Sequence, residues 1–330
     1  MKVPFTWKPT GWFMIGWSEE YRPGAVKPLK YFGRDLVAWR GESGEMHVLD
    51  AHCPHLGAHM GHRGKVNGEC IECPYHGWGF GPDGINKYIP YEDRPNVTKH
   101  LRAFVVNEMH EAIYVWHDPQ GDPPRWDLPN VFEAWPEQGG GPDDYYRAYP
   151  EMSVKYEGEP VHPQIPLENA PDSMHFKYVH DATVTPVLLD YGTDGPTFRG
   201  TVGWPNPKDP DSGEMALKIH TLQNGVGNTL NVFEGSTPYR LIFCVTPVDD
   251  EKSDMFYSIW WPRGTDTAKV APESTRTRVE RQFLRTLADD LEIWRYQIYV
   301  ENPALAQIDA KPYGALRKWA RQFYEVPPEN

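Results

Sequence analysis

The segments CPHLGAH, residues 53–59, and CPYHGW, residues 73–78, each place a cysteine close to a histidine. Cys53 and His55 are two positions apart, and Cys73 and His76 are three positions apart. Two thiolates and two imidazoles suit either a tetrahedral zinc ion or a [2Fe–2S] cluster with mixed ligands. The two segments therefore predict a metal site built from two similar loops.

The arrangement within the loops favours the cluster over zinc. A Cys₂His₂ zinc site usually has a CxxC pair followed by a separate histidine pair, whereas each loop here holds one residue of each type. Pro follows Cys in both loops, and Gly57 and Gly77 stand just beyond the histidines. Glycine permits the tight turn in which backbone amides approach the bridging sulfides. Zinc remains the alternative interpretation.

The other histidines and cysteines near these loops fall outside the pattern. We expect Cys70 to be a bystander thiol. We expect His52, His59 and His62 to be supporting or surface residues.

Length and composition limit the class of protein. The chain has 330 residues and a net charge of −13. Two domains are expected at this length, and the acidic charge argues against a nucleic-acid partner. No apolar run is long enough to span a membrane or to form a signal peptide. We expect a soluble, cytoplasmic protein, in which metal binding is a better use of Cys53 and Cys73 than disulfide formation.

The residue pattern changes near the middle of the chain. Residues 12–116 read as short strands separated by turns, whereas residues 117–146 are rich in Pro, Gly and Asp, as in a linker. The second half mixes strands with two predicted helices, over 166–178 and 273–299. It therefore reads as α+β.

The segment ENAPDSMHFKYVH, residues 168–180, predicts a second metal site. Asn169, Asp172 and His175 are spaced by three, which places them near one face of a helix. His180 lies about 140° further round an ideal helix, so the helix must end or distort before it. Two histidines and a carboxylate on one face are the usual ligands of a non-haem Fe(II) that activates O₂.

The predicted helix over 273–299 offers the missing carboxylate. Its buried stripe is predicted to contain Val279, Phe283, Leu287, Leu291, Trp294 and Ile298. Asp290 falls inside this stripe, while Asp289 and Glu292 face solvent. A buried carboxylate is costly unless it is paired or bound to a metal. Asp290 is the predicted ligand, and Glu280 is the second choice.

These motifs resemble a known family. The CxH and CxxH loops resemble the Rieske signature, and N-x-x-D-x-x-H-x4-H followed by D-x-E-I-W resembles the catalytic domain of Rieske non-haem iron oxygenases. The resemblance covers essentially the whole chain. It implies that Cys53 and Cys73 hold one iron of a [2Fe–2S] cluster and that His55 and His76 hold the other.

The resemblance also implies the roles of the second set of residues. His175, His180 and Asp290 would ligate a mononuclear Fe(II). Asp172 would connect the two metal centres by joining His175 to a Rieske histidine, and Asn169 would lie near the iron as a weak or non-bonding neighbour.

The family implies a fold and an assembly. The fold class is α+β, with an N-terminal all-β Rieske domain over 1–125. A helix-grip catalytic domain follows over 126–330, formed by an antiparallel sheet and a long C-terminal helix. The family also forms a head-to-tail homotrimer, in which His76 of one chain approaches Asp172 of the next.

Within the family, several segments resemble the oxygenase components of 3-ketosteroid 9α-hydroxylases. They include GAVKPLKYFGRDLVAWR, LDAHCPHLGAHMGH and LRKWARQFY, whereas CIECPYHGWGF is also similar to sterol C7-desaturases. The likeness implies an O₂-dependent steroid monooxygenase. A sterol desaturase, an aromatic O-demethylase or, outside enzymes, a Rieske electron-transfer protein are the alternatives.

The partners and the substrate site follow from the same likeness. The sequence has no dinucleotide-binding motif in a strand–helix context, so electrons would come from an NADH-dependent flavin and iron–sulfur reductase, directly or through a ferredoxin. The segments FCVTPV, YSIWWP and VTPVLLDYG are candidates for the lining of an apolar steroid cavity.

Overall fold

The structure is a computed structural model that describes residues 2–324. Antiparallel β-sheets dominate it, with three small sheets before residue 118 and one large sheet after it. Within residues 2–324 no helix is both long enough and apolar enough to cross a membrane.

Two of the small sheets form the framework of the N-terminal half. The first has the strand order β1–β11–β10, and the second has the order β2–β3–β4–β9. Their strands are β1 Gly11–Trp17, β2 Val26–Tyr31, β3 Arg34–Arg40, β4 Met46–Asp50, β9 Ala103–Phe104, β10 Val106–Met109 and β11 Ala112–His117.

The third small sheet supports the two Cys/His loops. It has the order β5–β6–β7–β8, with β5 Lys65–Asn67, β6 Cys70–Glu72, β7 Gly79–Phe80 and β8 Asn86–Tyr88. The second loop lies between β6 and β7, and the first follows β4. Apolar side chains from β3, β4 and this sheet form a separate core beneath the loops, which includes Trp39, Leu49, Met60, Ile71 and Phe80.

The second half is built on a seven-stranded antiparallel sheet. Its order is β12–β18–β17–β16–β15–β14–β13. The strands are β12 Ser153–Glu159, β13 Val187–Asp194, β14 Thr197–Pro205, β15 Met215–Asn224, β16 Asn228–Glu234, β17 Arg240–Pro247 and β18 Ser253–Trp260.

The two faces of this sheet pack against different parts of the chain. Because side chains alternate along a strand, Ile242 and Cys244 of β17 join a core shared with β1 and β11. Leu241, Phe243 and Val245 point the other way and pack against the helices. The sheet therefore lies between the N-terminal half and a helical layer, and a cavity opens on the helical side.

The helices differ from the prediction in extent. They are α1 Gln164–Leu167, α2 His175–Tyr178, α3 Glu273–Val279, α4 Arg285–Trp294 and α5 Ala310–Ala320. A π-helical turn, Glu280–Leu284, joins α3 to α4. The general architecture that the resemblance implied is confirmed, but the single long helix over 273–299 is not.

The helix ends at Trp294 and not near residue 299, and residues 295–298 beyond it are exposed. Leu287, Leu291 and Trp294 are buried, but Ile298 is 74% exposed.

The predicted helix over 166–178 is also two short helices. Pro171 disfavours helical geometry at Ala170, and the chain turns between α1 and α2. The boundary predicted between residues 125 and 126 stays a prediction, and residues 1 and 325–330 lie outside the described part.

Candidate active site and metal centres

The two Cys/His loops have the same backbone hydrogen bonds. The amide of Cys53 donates to the carbonyl of Ala58 at 2.9 Å, and the amide of Cys73 donates to that of Trp78 at 2.9 Å. The amides of Gly57 and Gly77 donate back to the cysteine carbonyls at 2.8 and 2.9 Å. The similarity seen in the sequence is therefore a similarity of conformation.

The four predicted cluster ligands converge between the loop tips. Cys53 and Cys73 are buried, and burial raises the pKa of the Cys53 thiol to about 12, with the neighbouring Cys73 adding to the effect. The imidazole rings of His55 and His76 lie 4.7 Å apart. Trp78 stacks on His55 at 4.5 Å and fixes that ring.

An orphaned buried atom indicates what these loops hold. Nδ1 of His76 is buried and has no hydrogen-bond partner within residues 2–324. A buried polar nitrogen without a partner is costly, and a metal at this position would satisfy it. Two thiols and two imidazoles at the loop tips fit the mixed ligand set of a Rieske cluster.

His175, His180 and Asp290 come together on the helical side of the large sheet. Each offers a ligand atom within 4.8 Å of the others. Nε2 of His180 lies 3.3 Å from Oδ1 of Asp290, and the two histidine rings are 5.4 Å apart. The helix α2 ends at Tyr178, which allows His180 to turn toward the same point as His175.

The surroundings of His175 prepare it to bind a cation, and His180 has a buried nitrogen without a hydrogen-bond partner among residues 2–324. Nδ1 of His175 donates to the carbonyl of Asp172 at 2.6 Å, which leaves Nε2 as the acceptor. Burial lowers the pKa of His175 and thereby favours the neutral ring. Nδ1 of His180 is buried without a hydrogen-bond partner among residues 2–324. Two imidazoles and one carboxylate fit a ferrous ion with open positions.

The other carboxylates considered on this helical segment are exposed and do not face the triad. Asp289 and Glu292 are exposed, as predicted. Glu280 is also exposed and lines a separate surface depression with Arg276. Glu280 is therefore remote from the triad.

Asn169 and Asp172 flank the triad. Nδ2 of Asn169 lies 3.4 Å from Oδ1 of Asp290. Oδ1 of Asp172 accepts hydrogen bonds from the amides of Met174 and His175 at 3.0 and 3.1 Å, and these bonds begin α2. The roles of both residues toward the metals stay predictions.

The sequence analysis missed one residue beside this site. Oη of Tyr313, on α5, donates to Oδ2 of Asp172 at 3.0 Å. The two residues are 141 positions apart, so no local spacing could have revealed the contact.

A cavity of about 420 Å³ adjoins the triad. Its wall is mainly apolar and aromatic, from Phe176, Trp204, Leu217, Ile219, Phe233, Tyr239, Leu241, Phe243, Tyr257, Phe283, Leu287 and Trp294. Phe243 and Tyr257 come from two of the segments predicted to line it. The third segment, VTPVLLDYG, lies mostly on the edge strand β13, where Leu189 and Tyr191 are exposed, so that prediction was wrong.

A second cavity, of about 310 Å³, lies on the other side of the triad. Asn169, His175, Asp290 and Trp294 line both cavities, whereas Asp172 and Tyr313 line the second. The triad can therefore be approached from two directions.

Comparison with known proteins identifies the family. Residues 11–109 match the Rieske [2Fe-2S] domain, and residues 115–324 match the 3-ketosteroid 9α-hydroxylase C-terminal domain. The chain belongs to the Rieske oxygenases. Its Rieske half carries the [2Fe–2S] cofactor, and oxygenases of this family use a mononuclear iron at the catalytic site, where the chain has its His/Asp triad.

Curated relatives of the oxygenase share about a quarter to a third of its residues. An oxygenase component of 3-ketosteroid-9-alpha-monooxygenase from Rhodococcus rhodochrous is 30% identical, over 95% of this chain and 83% of its own length. Cholesterol 7-desaturase from Bombyx mori is 28% identical, over 96% of this chain and 69% of its own length. The Rhodococcus relative is named as the oxygenase component of its monooxygenase.

Solved structures confirm the fold. Dicamba monooxygenase bound to dicamba has a TM-score of 0.69 and 19% identity, covering 96% of this chain and 97% of the other. NdmA of Pseudomonas putida CBB5 with caffeine has a TM-score of 0.70 and 19% identity, covering 94% and 89%.

Proposed function

We propose that this oxygenase hydroxylates a steroid, as the terminal component of a monooxygenase of the 3-ketosteroid 9α-hydroxylase type. The observation that carries the proposal is the largely apolar cavity beside the His175, His180 and Asp290 triad, a cavity that no Lys or Arg among residues 2–324 lines. A volume of about 420 Å³ lies within the range of small-molecule sites.

The charge of the cavity wall favours a steroid over an aromatic acid. Among residues 2–324, no Lys or Arg lines the cavity, and its only acidic residue is Asp290 of the triad. An aromatic acid bound in this cavity would bury its carboxylate without a Lys or Arg partner, which is costly. A neutral polycyclic substrate has no such penalty.

One polar group on the wall suits an oxygen of a steroid. Thr221 donates a hydrogen bond to Oδ1 of Asn231 at 2.7 Å, and both residues line the cavity. This bond fixes the amide of Asn231 with its NH₂ group available as a donor. Such a donor fits a carbonyl or hydroxyl oxygen on an otherwise apolar ligand.

Different residues of the chain would bind the cluster, bind the iron and position the substrate. Cys53, Cys73, His55 and His76 would hold the cluster, and His175, His180 and Asp290 would hold the iron. Bound there, the cluster supplies electrons one at a time and the iron supplies O₂ activation. The cavity wall excludes water and holds the reacting C–H near the triad.

Further side chains orient these ligands. The carbonyl of Asp172 fixes the tautomer of His175 by accepting from its Nδ1. The carboxylate of Asp172 and the amide of Asn169 stand beside the triad and complete the predicted catalytic set.

The exposed apolar residues support a head-to-tail homotrimer. Leu56 and Tyr75, next to the predicted Rieske histidines, are 64% and 63% exposed. Tyr178, Tyr296 and Ile298, near the second cavity, are 75%, 79% and 74% exposed. Contact between these two surfaces would bury both and bring His76 of the partner subunit to Asp172.

The electron donor would be an NADH-dependent flavin and iron–sulfur reductase, directly or through a ferredoxin. The four cysteines form no disulfide, which supports a reducing, cytoplasmic location.

Reconstitution with a reductase and NADH tests the proposal. We expect 3-ketosteroids to yield a monohydroxylated product containing one atom from ¹⁸O₂, and methoxylated aromatic acids to yield none. The relative named cholesterol 7-desaturase makes desaturation the second candidate. Under ¹⁸O₂ hydroxylation adds 18 mass units and desaturation removes 2, so mass spectrometry separates the two products by 20. Turnover of the aromatic acids with no steroid product would contradict the proposal.

A further inference from the structure

The helix α5 holds the segment that carries His175 at two points. Tyr313 donates to Oδ2 of Asp172 at 3.0 Å. One helical turn later, Arg317 forms a bidentate ion pair with Glu168 at 2.9 and 2.8 Å. Residues four apart on a helix share a face, so α5 presents both side chains to this segment together.

The two contacts hold different parts of the segment. The pair of Glu168 and Arg317 is largely buried, with side-chain exposures of 8% and 16%, and it lies at the end of α1, four residues before Asp172. It fixes the path of the backbone. The Tyr313 hydroxyl instead contacts the carboxylate of Asp172 itself.

The carboxylate of Asp172 depends on Tyr313 for its orientation. Its Oδ1 is held by the amides of Met174 and His175, but within residues 2–324 the only hydrogen bond to Oδ2 comes from Tyr313. The χ2 torsion of an aspartate is broad. Removing the hydroxyl therefore frees the carboxylate plane while the backbone stays in place.

The hydroxyl remains a donor under ordinary conditions. Burial, followed by the negative charge of Asp172, raises the pKa of Tyr313 well above its usual value. Oδ2 of Asp172 has two lone pairs, and Tyr313 occupies one of them. The other is left for an imidazole N–H that enters the second cavity, which Asp172 and Tyr313 both line.

We propose that Tyr313 is a positioning residue for electron transfer between subunits: its hydroxyl fixes the Asp172 carboxylate in the orientation that receives His76 of the partner subunit. The inference rests on the proposed function and adds a residue that belongs to neither metal motif. Tyr313 contacts no predicted ligand, so it acts through Asp172.

The test compares Tyr313→Phe with Tyr324→Phe in the holoprotein. Oη of Tyr324 is buried and has no hydrogen-bond partner among residues 2–324, so its removal is a matched control. The cluster is reduced with one equivalent of dithionite and mixed with steroid and O₂, and its reoxidation is followed by visible absorbance. One dithionite would supply two electrons, one to the cluster and one that keeps the mononuclear iron ferrous. Together with two protons and the electron pair of the C–H bond, these two electrons would reduce O₂ to the product hydroxyl group and one water.

We expect reoxidation to slow about tenfold or more in Tyr313→Phe and to stay unchanged in Tyr324→Phe. Iron and sulfide content, thermal midpoint and steroid affinity should match the wild type in both. Crystal structures should show the Asp172 carboxylate rotated or split only in Tyr313→Phe, with the backbone of residues 168–175 unmoved.

A reoxidation rate within twofold of the wild type in Tyr313→Phe would overturn the inference. Equal slowing in Glu168→Gln, which loosens α5 without touching the hydroxyl, would also overturn it by assigning the effect to helix packing. A failure of the proposed function would appear separately, as wild-type protein whose reoxidation does not respond to steroid.

Discussion

Gly57 and Gly77 occupy the same position in the two cluster loops but have different surroundings. Both have left-handed backbone conformations, with φ of +77° and +73°, which disfavour any residue with a Cβ atom. A Cβ on Gly57 would meet nothing within 4 Å, whereas one on Gly77 would lie 2.9 Å from Cγ of Pro90. Alanine at Gly57 would therefore test backbone strain alone, whereas alanine at Gly77 would test backbone strain together with a steric conflict.

Gly57→Ala and Gly77→Ala should both destabilise the protein, but by different amounts. We expect about 1 kcal/mol for Gly57→Ala from the backbone conformation alone. Gly77→Ala should cost more, because Pro90 must also move, and should lower the cluster content. Urea unfolding and visible absorbance per chain measure both effects. Equal losses in the two variants would contradict this reading of the second loop.

Spacing in the sequence revealed candidate site residues only where those residues are close together along the chain. The Rieske loops and the His175 to His180 segment were predictable because each motif is short. Asp290 was predictable from further away because it interrupts an apolar stripe of period 3.6. Tyr313 was not, since its partner Asp172 lies 141 residues away and a tyrosine on a helix has no distinctive pattern.

At the scale of elements, the helix that carries Asp290 shows what periodicity overlooks. A π-turn adds a residue to one turn of a helix and so shifts the register between α3 and α4 without breaking the apolar pattern. Phe283, within this turn, lines the cavity of about 420 Å³ beside the triad. The end of α4 at Trp294 depends on packing partners, which the sequence of the helix does not contain.

A buried guanidinium of the large sheet binds three points of the linker. Arg240, on β17, is 0% exposed and donates to the carbonyl of Val131 at 2.6 Å and the hydroxyl of Tyr145 at 3.1 Å. It also donates to the carbonyl of Gly139. These bonds contribute to the order of a segment that is rich in Pro and Gly.

Arg240→Met should lower the free energy of unfolding by about 3 kcal/mol or more, because buried carbonyls lose charged donors. Arg199→Met is the control, since Arg199 is exposed and reaches the same linker only through a long hydrogen bond, 3.3 Å, to the carbonyl of Ala134 and a cation–π contact with Trp135 among the described residues. Urea unfolding measures both variants. A loss below about 1 kcal/mol in Arg240→Met would show that the linker is held by other contacts.

At the scale of the whole molecule, three buried histidines make stability depend on pH. Burial lowers the pKa of His110, His117 and His162 to about 4 each, against about 6.5 in the unfolded chain. Between these values the unfolded state binds more protons, so the free energy of unfolding falls as the pH drops from about 6.5 to 4. Above about 6.5 these groups have no effect.

Each of these histidines should contribute a slope of up to about 1.4 kcal/mol per pH unit. His110→Gln should therefore flatten the loss of stability between pH 6.5 and 5, measured by urea unfolding. His100→Gln, at an exposed position, should leave the slope unchanged. An unaltered slope in His110→Gln would mean that this ring is already protonated in the folded protein.

The proposed trimer predicts complementation between two inactive variants. His76→Ala should lack a working cluster ligand, and Asp290→Ala should lack an iron ligand. Because the electron would cross between subunits, co-expressed mixed trimers should recover a fraction of wild-type turnover that neither variant shows alone. Mixed assemblies without activity would indicate that transfer occurs within one chain.

The central claim is that one chain holds a Rieske cluster and a separate iron at His175, His180 and Asp290. Iron, zinc and acid-labile sulfide should be measured per chain for the wild type, Asp290→Ala and its exposed neighbour Asp289→Ala. We predict about three irons and two sulfides for the wild type and Asp289→Ala, and about two of each for Asp290→Ala. Three irons in Asp290→Ala, or zinc without sulfide in the wild type, would contradict the account.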